Sequence, residues 1–106
     1  MSSKVNSDLV FKALAHPLRR AILDQIRDEP KTTGSLCEAH PTIDRCTVMQ
    51  HLKVLENADL VIIKRVGRER WNYLNALPIK AISDRWISQY AGQALNVLEQ
   101  MKSDLG

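Results

Sequence analysis

The stretch DRCTVMQHLKVLENADLV, residues 44–61, decides how the rest of the chain is read. Asp44 is a good N-cap, because its short carboxylate accepts from the unpaired amides of a first helical turn. From residue 45 to 58, Val48, Leu52 and Leu55 recur at steps of four and three, so they share one face of a helix. The opposite face carries Cys46, Gln50, Lys53 and Asn57. Upstream, Thr32 or Thr33 caps a short helix around residues 36–40, and Pro41 stops it. Two helices joined by a short turn, the second with a polar outer face, describe a helix-turn-helix over about residues 33–58.

Downstream the period changes. Residues 61–66, VIIKRV, are mostly β-branched, Gly67-Arg68-Glu69 reads as a turn, and residues 70–74 return with Trp71 and Tyr73 on one side. The hairpin, residues 61–75, carries Lys64, Arg65, Arg68 and Arg70 at or near its tip. Strand alternation separates Lys64 from Arg65 and Arg70. A helix-turn-helix followed by a basic hairpin is a winged helix.

The flanks complete the outline. Ser7 caps a first helix with Leu9, Val10, Ala13 and Leu14 on its apolar positions, and Pro17 opens a second helix. That helix carries Leu18, Ala21, Ile22, Leu23 and Ile26, and Asp28-Glu29-Pro30 ends it. Pro78 opens a long last helix, residues 78–104. Ile79, Ile82, Trp86, Tyr90 and Ala94 recur there at about one turn, and Ile87, Ala91, Ala94, Leu98, Met101 and Leu105 form a second stripe. A chain this small cannot cover all of that surface, and a second copy of the same helix is the simplest cover. The fold class is therefore mainly α with a small β-hairpin: one winged helix-turn-helix domain over residues 1–106, with a long C-terminal dimerisation helix. Trp86, Ile87, Tyr90, Ala94, Leu98 and Met101 are the expected interface.

The chain has 106 residues, 44% hydrophobic and 25% charged, which suits a single globular domain and excludes a disordered one. The longest apolar run, residues 60–63, falls far short of the roughly 20 residues a bilayer span needs. The opening MSSKVNSD has no apolar signal core, so the cytosol is expected, with both cysteines as reduced thiols. Charge is informative by position. Residues 1–44 carry six basic and six acidic side chains, and residues 71–106 three of each. Residues 45–70 carry six basic and three acidic, so the whole net charge of +3 sits in the helix and hairpin. A basic patch on an otherwise neutral chain points to a polyanion.

Arg45, Thr47, Gln50 and His51 occupy the first two turns of the second helix of the motif. Arginine can bond guanine O6 and N7, glutamine can pair with adenine, and threonine can meet a phosphate or a thymine methyl. The competing reading makes Thr47 a helper of the cap and His51 a residue of the core margin. Lys53 is placed on phosphate. Arg65, Arg68 and Arg70 have the reach for phosphates or a minor groove, against a reading as a solvated tip. Cys37 reads as a small core residue, and Cys46 lies on the polar face, where a redox role stays open. His16, His40 and His51 are too scattered to give a zinc spacing, so no metal and no cofactor are expected. No glycine-rich phosphate loop, nucleophile elbow or HExxH is present, so an enzyme is not expected.

The segments ALAHPLRRAIL (residues 13–23), DRCTVMQHLKVLENADLV (44–61) and KRVGRERWNYLN (64–75) resemble the ArsR-type family of winged-helix repressors. The likeness runs from about Phe11 to Tyr90. It implies a homodimer built on the first and last helices, with recognition helices in successive major grooves. The segment RWISQY (85–90) resembles a subgroup that mostly lacks the metal sites of the founding members. The founders' Cys-x-Cys pair is matched here by Thr32-Thr33-Gly34, and the last helix has Asp84 but no histidine. Met49 replaces the family's usual serine early in the recognition helix.

The expected function is a dimeric, sequence-specific repressor on a pseudo-palindromic site in double-stranded DNA. The rival is a winged-helix protein-interaction module without DNA. Nothing in the residues specifies an operator or an effector.

Overall fold

The structure, a computed structural model, describes residues 6–105. Its elements run α1 (Ser7–Leu14), α2 (Pro17–Gln25), β1 (Lys31–Thr32), α3 (Thr33–Ala39), α4 (Arg45–Asn57), β2 (Val61–Val66), β3 (Glu69–Leu74), α5 (Leu77–Ile82), a π-helical turn (Ser83–Ile87) and α6 (Ser88–Leu105). This is a winged helix-turn-helix with a long C-terminal helix.

One core joins the helices to the base of the hairpin. Val10 and Ala13 of α1, Ile22 of α2, Leu36 of α3, and Val48 and Leu55 of α4 are all but fully buried in it, with Leu60 and Val61 at the start of β2. The four-and-three spacing read from α4 is therefore its core face, and Leu52 lies with the other two. Ile82 brings α5 into the same core, with Ile79, Cys37 and Trp86 packed on its margin.

Capping follows short polar side chains, with one correction. Asn6, not Ser7, caps α1, its Oδ1 accepting from Leu9 N at 3.2 Å. An N-cap must have extended backbone while its side chain reaches two or three residues on, and Asn6 sits one step earlier than Ser7 to do so. Thr32 caps α3, which begins at Thr33, a turn earlier than expected. Pro17 occupies the first turn of α2, whose cap is the imidazole of His16.

The hairpin is joined by a third strand that the sequence reading did not anticipate. β1 pairs antiparallel with β3, Lys31 opposite Asn72 and Thr32 opposite Trp71. Asn72 is buried and holds this corner, its Nδ2 donating to Lys31 O at 3.2 Å and Thr33 Oγ1 at 3.1 Å.

The last helix begins at Leu77 and is not uniform. Ser88 N bonds to Ser83 O, a five-residue step in place of four. Beyond this turn every residue from Ser88 to Leu105 is exposed. The molecule measures 61 × 37 × 22 Å, and its radius of gyration of 17.8 Å exceeds the roughly 13 Å of a compact chain of this length. Trp86 meets Phe11 of α1, ring centroids 5.6 Å apart, and the Arg85 guanidinium lies 4.8 Å from the centre of the Trp86 ring.

Candidate nucleic-acid interface

Helix α4 is held rigidly at both ends. At its start Asp44 Oδ1 accepts from Cys46 N at 3.1 Å. At its end Ala58 is followed by Asp59 in the left-handed region, φ 60°. Asp59 N reaches Glu56 O at 2.9 Å and Leu60 N reaches Leu55 O at 3.0 Å, closing the paired terminal bonds of a left-handed cap. Leu55 and Leu60, the hydrophobic pair that accompanies such a cap, are both fully buried. Asn75 then clamps the corner, donating from Nδ2 to Asp59 O and from its backbone N to Leu60 O, both at 2.9 Å. The end of the hairpin is thus bonded to the end of α4.

With its core face committed, α4 presents Arg45, Cys46, Met49, Gln50, Lys53 and Asn57 to solvent. Thr47 and His51 are half-buried, His51 on the flank toward α2. His51 Nδ1 accepts from Arg19 Nη1 at 2.9 Å, and its ring lies 4.4 Å from that of His16. Burial first, then the neighbouring His16 and Arg19 charges, hold His51 below its ordinary pKa. Arg19 also donates to the carbonyls of Ala13 and Lys12 at the end of α1, so one guanidinium ties α1, α2 and α4 together. Lys53 is exposed and lies 3.4 Å from Glu56.

The wing turns through Gly67 and Arg68, with Val66 opposite Glu69. Gly67 takes φ +61°, a backbone region that costs a side chain about 1–2 kcal/mol. Arg65 faces Arg70 directly across the strands, and Lys64 faces Trp71 on the other side of the sheet. Lys64, Arg65 and Arg68 are exposed, while Arg70 is half-buried against α4. Arg45 and Met49 of α4, Arg68, Glu69 and Arg70 of the wing, and Glu38 of α3 border one surface hollow of about 430 Å³. A second cleft of about 410 Å³ lies between α4 and the inner face of the hairpin, with Met49, Gln50, Leu52, Ile63 and Arg70 in its walls. The structure thus gathers Arg45, Gln50, Lys53, Arg65 and Arg68 on exposed surface of α4 and the wing. It turns His51 and Arg70 inward. Asn75 and Asp59, which fix the wing to the helix, were not singled out from the sequence, although Asp is among the few residues besides glycine that enter the left-handed region.

Among the described residues no group of three or more His, Cys, Asp or Glu could hold a metal ion, and no helix is long and apolar enough to cross a membrane. Cys37 is half-buried at the core margin and Cys46 is exposed.

A family profile described as a helix-turn-helix domain matches residues 14–63. The HTH-type transcriptional regulator YuzN of Bacillus subtilis is 35% identical, over 77% of this chain and 96% of its own length. The transcriptional repressor SdpR of the same organism is 30% identical, over 84% of this chain and 97% of its own. The crystal structure of the ArsR family transcriptional regulator RHA00566 superposes with a TM-score of 0.67 at 25% identity, covering 87% of this chain and 94% of that one. The chain belongs to the ArsR family of transcriptional regulators. It is a DNA-binding helix-turn-helix protein. The likeness of residues 13–23, 44–61 and 64–75 to that family is upheld at the level of the whole fold.

Proposed function

We propose that this regulator is a cytosolic repressor that binds a pseudo-palindromic operator as a homodimer. The observation that carries the reading is the hollow that Arg45, Arg68 and Arg70 share with Glu38 and Glu69, which makes the start of the recognition helix and the tip of the wing one continuous surface with three of its five charged side chains basic. Gln50 and Arg45 read base edges in the major groove, with Thr47 at the margin. Lys53, Arg65 and Arg68 meet phosphates, which set register and affinity. His51 and Arg70 are left out of that set, because one is bonded to Arg19 and the other is half-buried, with its Nε unexposed, in the cleft between α4 and the hairpin. The dimer reading rests on the apolar face of α6, where Leu98, Met101 and Leu105 are exposed. Two-fold pairing through it sets two recognition helices on half-sites about one helical turn apart. Repression is supported by the relative SdpR, which is a repressor.

Titration of duplex binding against salt tests the reading. With about six phosphate contacts per dimer, log affinity falls against log salt with a slope near −5. Arg68→Gln weakens all sequences alike and, removing one contact from each subunit, flattens that slope by about two, whereas Gln50→Ala relaxes preference at one base pair of each half-site by about 1–3 kcal/mol. A slope near zero would overturn the phosphate contacts.

A further inference from the structure

The cleft between α4 and the hairpin, about 410 Å³, has the dimensions of a small-molecule site. Met49, Leu52 and Ile63 give it an apolar wall, and Arg70 stands in it. Nε of Arg70 is buried without a hydrogen-bond partner. None of the ion pairs among the described residues includes its guanidinium. Glu56, the carboxylate among the lining residues, is already 3.4 Å from Lys53. Arg65 lies directly across the strands from Arg70, so like charges add at this position. A desolvated guanidinium edge without a partner is costly, and a carboxylate offers two oxygens matched to its fork. One unpaired cation beside an apolar wall suits a single negative charge on a hydrocarbon body. A sugar phosphate would press hydroxyls against Leu52 and Ile63.

We propose that this cleft is an effector site for an apolar monocarboxylate, whose carboxylate pairs with Arg70 and whose tail lies along Met49, Leu52 and Ile63. Gln50 and Lys53 line the same cleft. The regulatory half of the proposal rests on the DNA-binding reading above: a tail seated there engages the side of α4 that DNA uses, so each ligand weakens the other by the same factor.

Calorimetry with octanoate and 1-octanol tests the site without DNA. Octanoate binds at one molecule per chain, and octanol, with the same tail and no charge, binds at least tenfold more weakly. Arg70→Gln weakens octanoate at least tenfold. Lys64→Gln, the same loss of charge on the outer face of the hairpin, changes octanoate affinity less than twofold. Met49→Trp, which fills the cleft without altering charge, abolishes octanoate binding and keeps the test valid if Arg70→Gln fails to fold. Saturating octanoate then raises the dissociation constant for a duplex at least fivefold in the wild type. Equal affinity for octanol and octanoate, or wild-type octanoate affinity in both cleft variants, overturns the site. Bound octanoate that leaves duplex affinity unchanged overturns the competition. A protein that binds octanoate as described but no duplex at any salt concentration overturns the DNA-binding reading and the competition, while upholding the site.

Discussion

Helices α4 and α6 carry apolar stripes of the same three-and-four spacing and end in different surroundings. Val48, Leu52 and Leu55 of α4 are covered by the chain's own helices and hairpin. Leu98, Met101 and Leu105 of α6 keep more than half of their surface, on a helix with no buried residue at all. Opposite them stand Gln93, Asn96, Gln100 and Ser103, so α6 is amphipathic although nothing in its own chain covers it. Periodicity reports which face is apolar. Only the geometry of the whole chain reports whether that face is already used. The first stripe stabilises the domain, and the second is the face on which the proposed dimer rests.

Substitutions can break this contrast. Leu55→Ala removes a fully buried side chain and should cost about 2–5 kcal/mol of unfolding free energy, measured by urea denaturation, at any protein concentration. Leu98→Asp, at a residue 54% exposed, should change the stability of the isolated domain by less than about 0.5 kcal/mol. It should instead raise the dimer dissociation constant at least a hundredfold, about 3 kcal/mol, because pairing would bury two like charges together. Sedimentation at micromolar concentration decides this, and a monomeric wild type would remove the proposed dimer.

Smaller effects sharpen the description of the covered half. Gly67→Ala should destabilise by about 1–2 kcal/mol, since it puts a side chain where φ is +61°. The smallest effect is a pH dependence. His51 titrates below its ordinary value of 6.5, so around and below that pH the unfolded chain binds more protons than the folded one. Its contribution to stability is complete above 6.5 and is lost as pH falls through the folded-state value. The urea midpoint should therefore drop between pH 7.5 and 5.5, and His51→Gln should flatten part of that drop. An unaltered slope would exclude His51 as its source.

The recognition helix and wing were legible because their signals are local. A capping Asp44, a three-residue apolar pattern and a Gly67 turn each act within a few positions of themselves. Strand β1 was not, because Lys31 and Thr32 become a strand only through partners some forty positions away, Asn72 and Trp71. The same reason hid the inward position of Arg70. Alternation placed it with Arg65 on the face of the hairpin away from Lys64, but its environment depends on how closely β3 approaches Met49 and Gln50 of α4. His51 was legible only as a residue of the margin, since its bond to Arg19 spans thirty-two positions.

The π-helical turn has a consequence for angular setting. Core-facing Ile79 and Ile82 are followed, five residues on, by Ile87, and then by Ala91, Ala94 and Leu98 at ordinary helical steps. The wide turn absorbs that five-residue step, so the inner line of α5 and the outer stripe of α6 run along one side of a single rod. Turning residues 83–87 into plain α-helix with every residue kept would swing the distal stripe by about 100° about the rod. Each domain would keep its core and its recognition surface. In a dimer joined by that stripe, the two recognition helices would no longer point at the same face of a duplex, so one wide turn far from the DNA acts as the dial for how a pair of half-sites must be spaced.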